Sequence, residues 1–263
     1  MLDRPDAATA AALARLYDLD LQDDPGDLDL YLAMASRADG SVLELAAGSG
    51  RLAVPLAAAG HPVTAVDIDG AMLNRARHRA VTASIPPGRL TFVEADLLGL
   101  TLPGKAGRYA LAFIALNSIL LLGGRSAQRE ALVTLARHLA PGGLAVVDVW
   151  LPDAEDLARF DGRVILEWPR TDPESGDVVT KAASAQHDAA SGTITLTAIY
   201  EAGRQGTAPA RWIRHDRLRL LGADELAGFA EDAGLRVELM AGGYDLSTLG
   251  PGSDRAVLVA ERP

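Results

Sequence analysis

Val42-Leu-Glu-Leu-Ala-Ala-Gly-Ser-Gly-Arg51, with Val66-Asp-Ile-Asp69 a short helix further on, is the stretch whose reading decides the fold. An apolar run that ends in small residues describes a buried strand turning abruptly into a helix. Gly48 and Gly50 remove the Cβ atoms that would keep a ligand off the backbone at that turn. Pro62-Val-Thr-Ala-Val66 reads as a second strand, closed by Asp67. In a parallel sheet the tips of two consecutive strands lie side by side, so a carboxylate there can accept hydrogen bonds from both hydroxyls of a ribose. The two segments therefore describe a cradle for a nucleoside-containing cofactor, and the ribose alone leaves open which one.

The pattern extends outward on both sides. Helices are predicted over 7–17 and 28–38, then strand 42–46, helix 50–59, strand 62–67, helix 70–81, strands 90–94 and 109–115, helix 126–139 and strand 143–149. Strands alternating with helices predict an α/β fold with a Rossmann-like, doubly wound parallel sheet. Pro141-Gly142-Gly143 is read as the stop between the last helix and strand, because proline cannot continue a helix and glycine supplies a left-handed turn. After Trp150 the period shortens. Segments 163–168, 178–187, 193–201 and 211–219 alternate apolar and polar residues between turn clusters such as Asp172-Pro-Glu-Ser-Gly-Asp177 and Ala189-Ala-Ser-Gly192. This predicts an antiparallel β insertion after the fifth strand. A helix over 223–233, stopped by Gly234, and strands over 235–240 and 255–261 close the chain and bring the main sheet to seven strands.

Bulk properties narrow the function. The formal charge of -10, with no run of Lys or Arg, argues against gripping a phosphate backbone, which cationic side chains drive by releasing counterions. No nucleic acid partner is expected. The absence of cysteine excludes disulfides, thiolate metal sites and cysteine nucleophiles together. The opening residues lack the basic and apolar regions of a signal peptide, and no apolar run approaches a bilayer's thickness. The default expectation is a cytoplasmic protein without a membrane partner. The five histidines, at 61, 78, 138, 187 and 215, show no paired metal spacing, so no metal is expected.

Glu44 preceding the glycines, Asp67 and Met72 after them, Glu94-Ala-Asp-Leu97 at the third strand and a chain that ends in strands form one ordered set. In this set residues 40–150 resemble the core of a class I S-adenosylmethionine-dependent methyltransferase of the small-molecule type, similar to sugar-amine and glycine N-methyltransferases. Ala46 departs from that pattern, standing where the family's first glycine usually sits. The resemblance implies that Glu44 orders the loop and the ammonium end of the cofactor, with Ala46, Gly48 and Gly50 in the turn. It further implies that Asp67 takes the ribose, Ile68 and Met72 pack on the adenine, and Asp96, beside Leu97, accepts from the adenine amino group. Arg51 either meets the cofactor carboxylate or lies on the surface. Asn117 is expected near the transferable methyl, with a loop-capping role as the alternative. It is not followed by the Pro-Pro-Tyr of nucleic-acid amino-methyltransferases.

The implied organisation is an N-terminal helical lid over 1–39, a cofactor-binding core over 40–150, the insertion over 151–220 as substrate pocket and dimer edge, and closing elements over 221–263. Tyr17 and Tyr31 are expected to fold over the cofactor, or else to act as hydrophobic staples. His187 and His215 are the candidates for removing a proton from a small-molecule acceptor, with an ordinary structural role as the alternative for each. The chemistry would be an in-line displacement at an N or O atom, in which alignment does most of the work. Two rivals stand beside it. Gly48-Ser-Gly-Arg-Leu-Ala53 also satisfies the relaxed dinucleotide fingerprint, as a nicotinamide-dependent oxidoreductase would, although no Tyr-x-x-x-Lys pair accompanies it. The other is a protein that holds S-adenosylmethionine without transferring its methyl.

Overall fold

The computed structural model describes residues 6–203 and 208–263. In chain order its elements are α1 (Ala7–Asp20), α2 (Leu28–Ala38), β1 (Val42–Leu45), α3 (Ala53–Ala58), β2 (Val63–Asp67), α4 (Gly70–Thr82), β3 (Leu90–Glu94), β4 (Tyr109–Ile114), α5 (Arg125–His138), β5 (Leu139–Trp150), α6 (Ala154–Arg159), β6 (Asp161–Thr171), β7 (Val178–Asp188), β8 (Thr193–Gly203), β9 (Ala210–Arg219), α7 (Ala223–Asp232), β10 (Arg236–Ala241) and β11 (Arg255–Glu261). They fall into two compact units. The smaller holds the chain up to Asp24 and Pro152–Leu220; the larger holds Pro25–Leu151 and Leu221–Pro263.

In the larger unit seven strands lie in the order β10-β11-β5-β4-β1-β2-β3. β11 alone runs against the others, pairing antiparallel with β5 on one side and β10 on the other. Every residue of β1 is buried, as are Val66, Phe113, Ile114, Val146, Val147 and Val257 through Ala260. Such continuous burial marks strands covered on both faces, which is why they read as unbroken apolar runs rather than alternations. The strand order reverses between β1 and β4, because the chain leaves the sheet at β3 and returns on the far side of β1. In open parallel sheets the crevice beyond the strand tips at that reversal is where ligands bind.

Two differences from the sequence reading have physical causes. β5 begins at Leu139, immediately after α5, so Pro141-Gly142-Gly143 lies inside the strand instead of ahead of it. The pairing jumps there from Tyr109↔Leu139 to Leu111↔Leu144, which makes the segment a bulge. Gly142 sits at φ +77°, and a Cβ on Gly143 would lie 2.9 Å from the Ala140 and Tyr109 carbonyl oxygens. The segment 1–39, read as one helical lid, divides between the units: α1 belongs to the smaller and α2 to the larger. Tyr31 of α2 is fully buried, its ring 4.4 Å from that of Phe113, so it is core and not a flap.

In the smaller unit β6, β7, β8 and β9 form an antiparallel meander. α1 covers one face, packing Leu16 and Leu19 against Val179, Tyr200 and Ala202. Asp6 caps its start through the Ala8 and Thr9 amides. Its end is clamped by charge. Asp20 accepts from Trp168 Nε1 (3.0 Å) and Lys181 Nζ (2.6 Å), and Arg170 donates to the terminal carbonyls of Leu19 and Asp20. Lys181 also pairs with Glu167 at 2.8 Å and is only 12% exposed. The opposite sheet face leaves Val164, Leu166, Val178 and Ile213 exposed.

Because Lys181 is the cation between two carboxylates, Lys181→Met, which keeps the apolar stem, leaves Asp20 and Glu167 facing each other. The expected cost is about 1–2 kcal/mol, read from the urea midpoint of the full chain. An unchanged midpoint would mean that apolar contacts alone hold α1.

Candidate active site

The turn after β1 is built from alternate left-handed residues: Ala46 at φ +58°, Gly48 at +55° and Gly50 at +76°. For Ala46 this conformation costs roughly 1 kcal/mol or more, a strain that glycine would avoid. Gly50 is required twice over, since an added Cβ would also lie 2.9 Å from the Ala76 Cβ of α4. At Gly48 an added Cβ would meet only the Met72 methyl, at 3.9 Å, so that backbone is free to approach a ligand closely.

Asp67 ties this turn to the tip of β2. Its Oδ2 accepts the Gly48 N–H at 2.6 Å and its Oδ1 accepts the Asp69 N–H at 2.8 Å. Burial raises its pKa, opposed by those amides. Each oxygen keeps a lone pair for a further donor. Asp69 in turn caps α4 through the Ala71 amide, so one short segment fixes the loop, the strand tip and the next helix.

Glu44 lies in the middle of the sheet, 3% exposed, and among the described residues its Oε2 has no hydrogen-bond partner. Burial pushes its carboxyl up to about 8; Arg51 opposes the rise, while Asp27 and Asp67 add to it. Arg51 itself is engaged by Asp27, a fully buried residue, in a two-pronged pair of 2.5 and 2.6 Å. Glu44 thus feels two further carboxylates and one guanidinium that Asp27 already engages. The field left over is negative and suits a ligand that brings positive charge to Glu44.

The remaining positions on this edge are less uniform. Ile68 is 54% exposed although apolar, and Met72 is half-buried beside Gly48. Leu97 is buried, whereas Asp96 is exposed and accepts the Leu98 amide at 2.9 Å. Asn117, at φ +64°, accepts the Trp150 N–H through its Oδ1. Two important groups were passed over in the sequence. Asp27 is indistinguishable from its acidic neighbours there. Asp148 had a usable signal, a lone acid within Leu144-Ala-Val-Val-Asp-Val149, of the same kind as Glu44.

Tyr17, His187 and His215 all belong to the smaller unit. Tyr17 has the Arg214 guanidinium 5.7 Å from its ring. His187 is paired with Ile194 and His215 with Thr197 across the same strand. Side chains alternate along a strand, so positions three apart point to opposite faces. His187 shares the Tyr200 face that α1 covers; His215 is exposed on the other, its Nδ1 3.0 Å from the Thr197 hydroxyl. A single acceptor on this sheet can meet only one of them. Among the described residues no His, Asp and Glu side chains group as a metal-binding set, and no helix is long and apolar enough to cross a membrane.

Residues 42–143 match the model of a methyltransferase domain family. A putative methyltransferase of Bacillus subtilis (strain 168), YqeM, is 30% identical over 110 residues, which is 42% of this chain and 42% of that protein. The matched stretch thus spans well under half of that curated relative. Among solved structures, the CcbJ methyltransferase of Streptomyces caelestis is 25% identical at a TM-score of 0.76, covering 92% of this chain and 95% of the other. CalS10, an amino pentose methyltransferase of Micromonospora echinaspora solved with S-adenosylmethionine bound, is similar in fold at 20% identity and a TM-score of 0.69, covering 94% and 97%.

The raised Glu44 carboxyl gives a signed dependence on pH. Its protonated form favours the folded state fully below about 4.5, and that contribution is lost as pH climbs to about 8. Glu44→Gln should therefore flatten the fall in ligand-free melting temperature over this window, and at pH 8 should stabilise by about 2 kcal/mol or more. Parallel melting curves for the two proteins would show Glu44 to be ordinarily ionised.

Proposed function

We propose that this chain, whose residues 42–143 match a methyltransferase domain family and whose fold resembles class I S-adenosylmethionine-dependent enzymes, methylates a small-molecule amine with S-adenosylmethionine. The observation that carries this reading is Glu44: a buried carboxyl with an unpartnered oxygen, next to a glycine turn and in a negative field. A buried acceptor left unpaired costs about 1–3 kcal/mol, which an arriving ammonium group would relieve. A nicotinamide dinucleotide brings two phosphates to the glycine turn and would meet the Asp27 and Asp67 carboxylates, with the Arg51 guanidinium already engaged by Asp27.

In this reading Glu44 receives the cofactor's ammonium, and Ala46, Gly48 and Gly50 let its chain approach the backbone. Asp67, already oriented by the Gly48 and Asp69 amides, accepts the ribose hydroxyls. The exposed Ile68 with Met72 covers the adenine, and Asp96 beside Leu97 accepts its amino group. Arg51 acts by holding Asp27, and Asn117 by fixing the β4 exit. When bound, S-adenosylmethionine supplies an electrophilic methyl group. The protein's part is to align the acceptor and exclude water, which needs no covalent catalyst. For taking up a proton from the acceptor, His187 is preferred to His215, because it shares the α1 side of the meander, where Tyr17 also lies.

An amine is favoured over a nucleic acid by the charge of -10 and by the amino pentose named for CalS10. A second copy of the chain is the partner assigned to the exposed Val164, Leu166, Val178 and Ile213. Light scattering that gives a monomer mass at micromolar concentration would reject that assignment.

Ligand-induced thermal shift provides the primary test. S-adenosylmethionine and S-adenosylhomocysteine should raise the melting temperature and NAD or NADP should not. Labelled cofactor should then pass its methyl to a member of an amino-sugar panel. Stabilisation by a dinucleotide alone would replace this reading with the oxidoreductase one.

A further inference from the structure

Asp148 lies near the end of β5, fully shut off from solvent. Burial raises its carboxyl from the ordinary Asp range, and hydrogen bonds oppose that rise. Tyr31 Oη and the Leu116 backbone N–H both donate to Oδ1 at 2.8 Å. Tyr244 Oη at 3.0 Å and Arg255 Nη1 at 3.1 Å donate to Oδ2. Arg255 also donates to Tyr244 Oη at 2.6 Å and lies over its ring, 4.1 Å from the centroid. With two donors on each oxygen, the carboxylate has no ordinary lone-pair site left for substrate. It acts through what it holds.

What it holds is the exit of β4. Leu116 and Asn117 are consecutive left-handed residues, at φ +52° and +64°, and neither is glycine. Each costs roughly 1 kcal/mol or more and persists only where the surroundings impose it. Two bonds impose it here: the Leu116 N–H to Asp148, and the Trp150 N–H to the Asn117 side chain. β4 pairs directly with β1, Leu45 opposite Ile114, at the point where the strand order reverses. A cofactor with its ammonium at the β1 turn and its ribose at β2 has its reacting end near the β4 tip.

We propose that Asp148 is a positioning residue for methyl transfer, setting through the Leu116 amide the loop against which the methyl-bearing end of the cofactor lies. This rests on the cofactor reading above. Tyr31 from α2, and Tyr244 and Arg255 from the closing segment, hold the carboxylate in place. The four donors come from three separate stretches of chain.

Two ligands separate positioning from general packing. S-adenosylhomocysteine has nothing where the transferable methyl would be, whereas sinefungin carries a primary amine there. Calorimetric titration of the full-length protein with each should show Asp148→Asn weakening sinefungin by about tenfold or more while S-adenosylhomocysteine changes by less than about threefold. Tyr244→Phe, at a half-buried position, should shift the same ratio in the same direction by a smaller factor, and it carries the test if Asp148→Asn does not fold. Equal weakening of both ligands, or no change in either, would overturn the assignment of Asp148 alone. Failure of both ligands to bind the unaltered protein would remove the cofactor reading and this inference with it.

Discussion

A carboxyl group buried in the middle of a parallel sheet must be neutral, paired or waiting for a partner, and Glu44 is only half supplied. Among the described residues one oxygen is unpartnered, and the nearby cation Arg51 is already committed to Asp27. The turn after β1 takes left-handed residues at Ala46, Gly48 and Gly50, and at Gly50 a Cβ would collide with Ala76. Asp67 has to hold the turn in place, and does so through the Gly48 amide. Left empty, the arrangement keeps one buried acceptor unpaired, a cost that a ligand donating a hydrogen bond or bringing positive charge would relieve.

The fold beyond this point serves to bring separate chain ends to the same edge. The reversal of strand order between β1 and β4 opens the crevice, and β5 borders it with Asp148, Val149 and Trp150. The closing hairpin of β10 and β11 completes the sheet and also delivers Tyr244 and Arg255 to Asp148. Two buried acids, on strands that flank β4, thus have opposite designs. Glu44 has one oxygen without a partner among the described residues, while Asp148 has four donors and holds backbone.

Most of the sheet was legible in sequence because its strands are covered on both faces and read as unbroken apolar runs with small-residue turns. The meander was equally plain, its alternation reporting one covered and one open face. What escaped were features set by long-range pairing. The start of β5 was misplaced because a bulge through Pro141-Gly-Gly looks locally like a turn. The division of the first two helices between units rests on contacts such as Lys181 with Asp20 and Tyr31 with Asp148, each more than a hundred residues apart in the chain. In the site, Glu44, Gly48, Gly50 and Asp67 were visible from order and spacing. The engagement of Arg51 by Asp27 was not, since nothing in an acidic stretch singles out the one residue that becomes buried. The two histidines were both named because sequence does not give strand register, and register is what puts them on opposite faces.

The central claim, that Glu44 waits protonated for a cationic ligand, predicts an exchange of protons with solvent. Calorimetric titration with S-adenosylhomocysteine at pH 7, repeated in buffers of different ionisation enthalpy, measures it directly. Release of close to one proton per ligand bound is expected, and the release should vanish in Glu44→Gln. Binding with no buffer-dependent heat would mean that Glu44 is already ionised in the empty site, and would contradict the account.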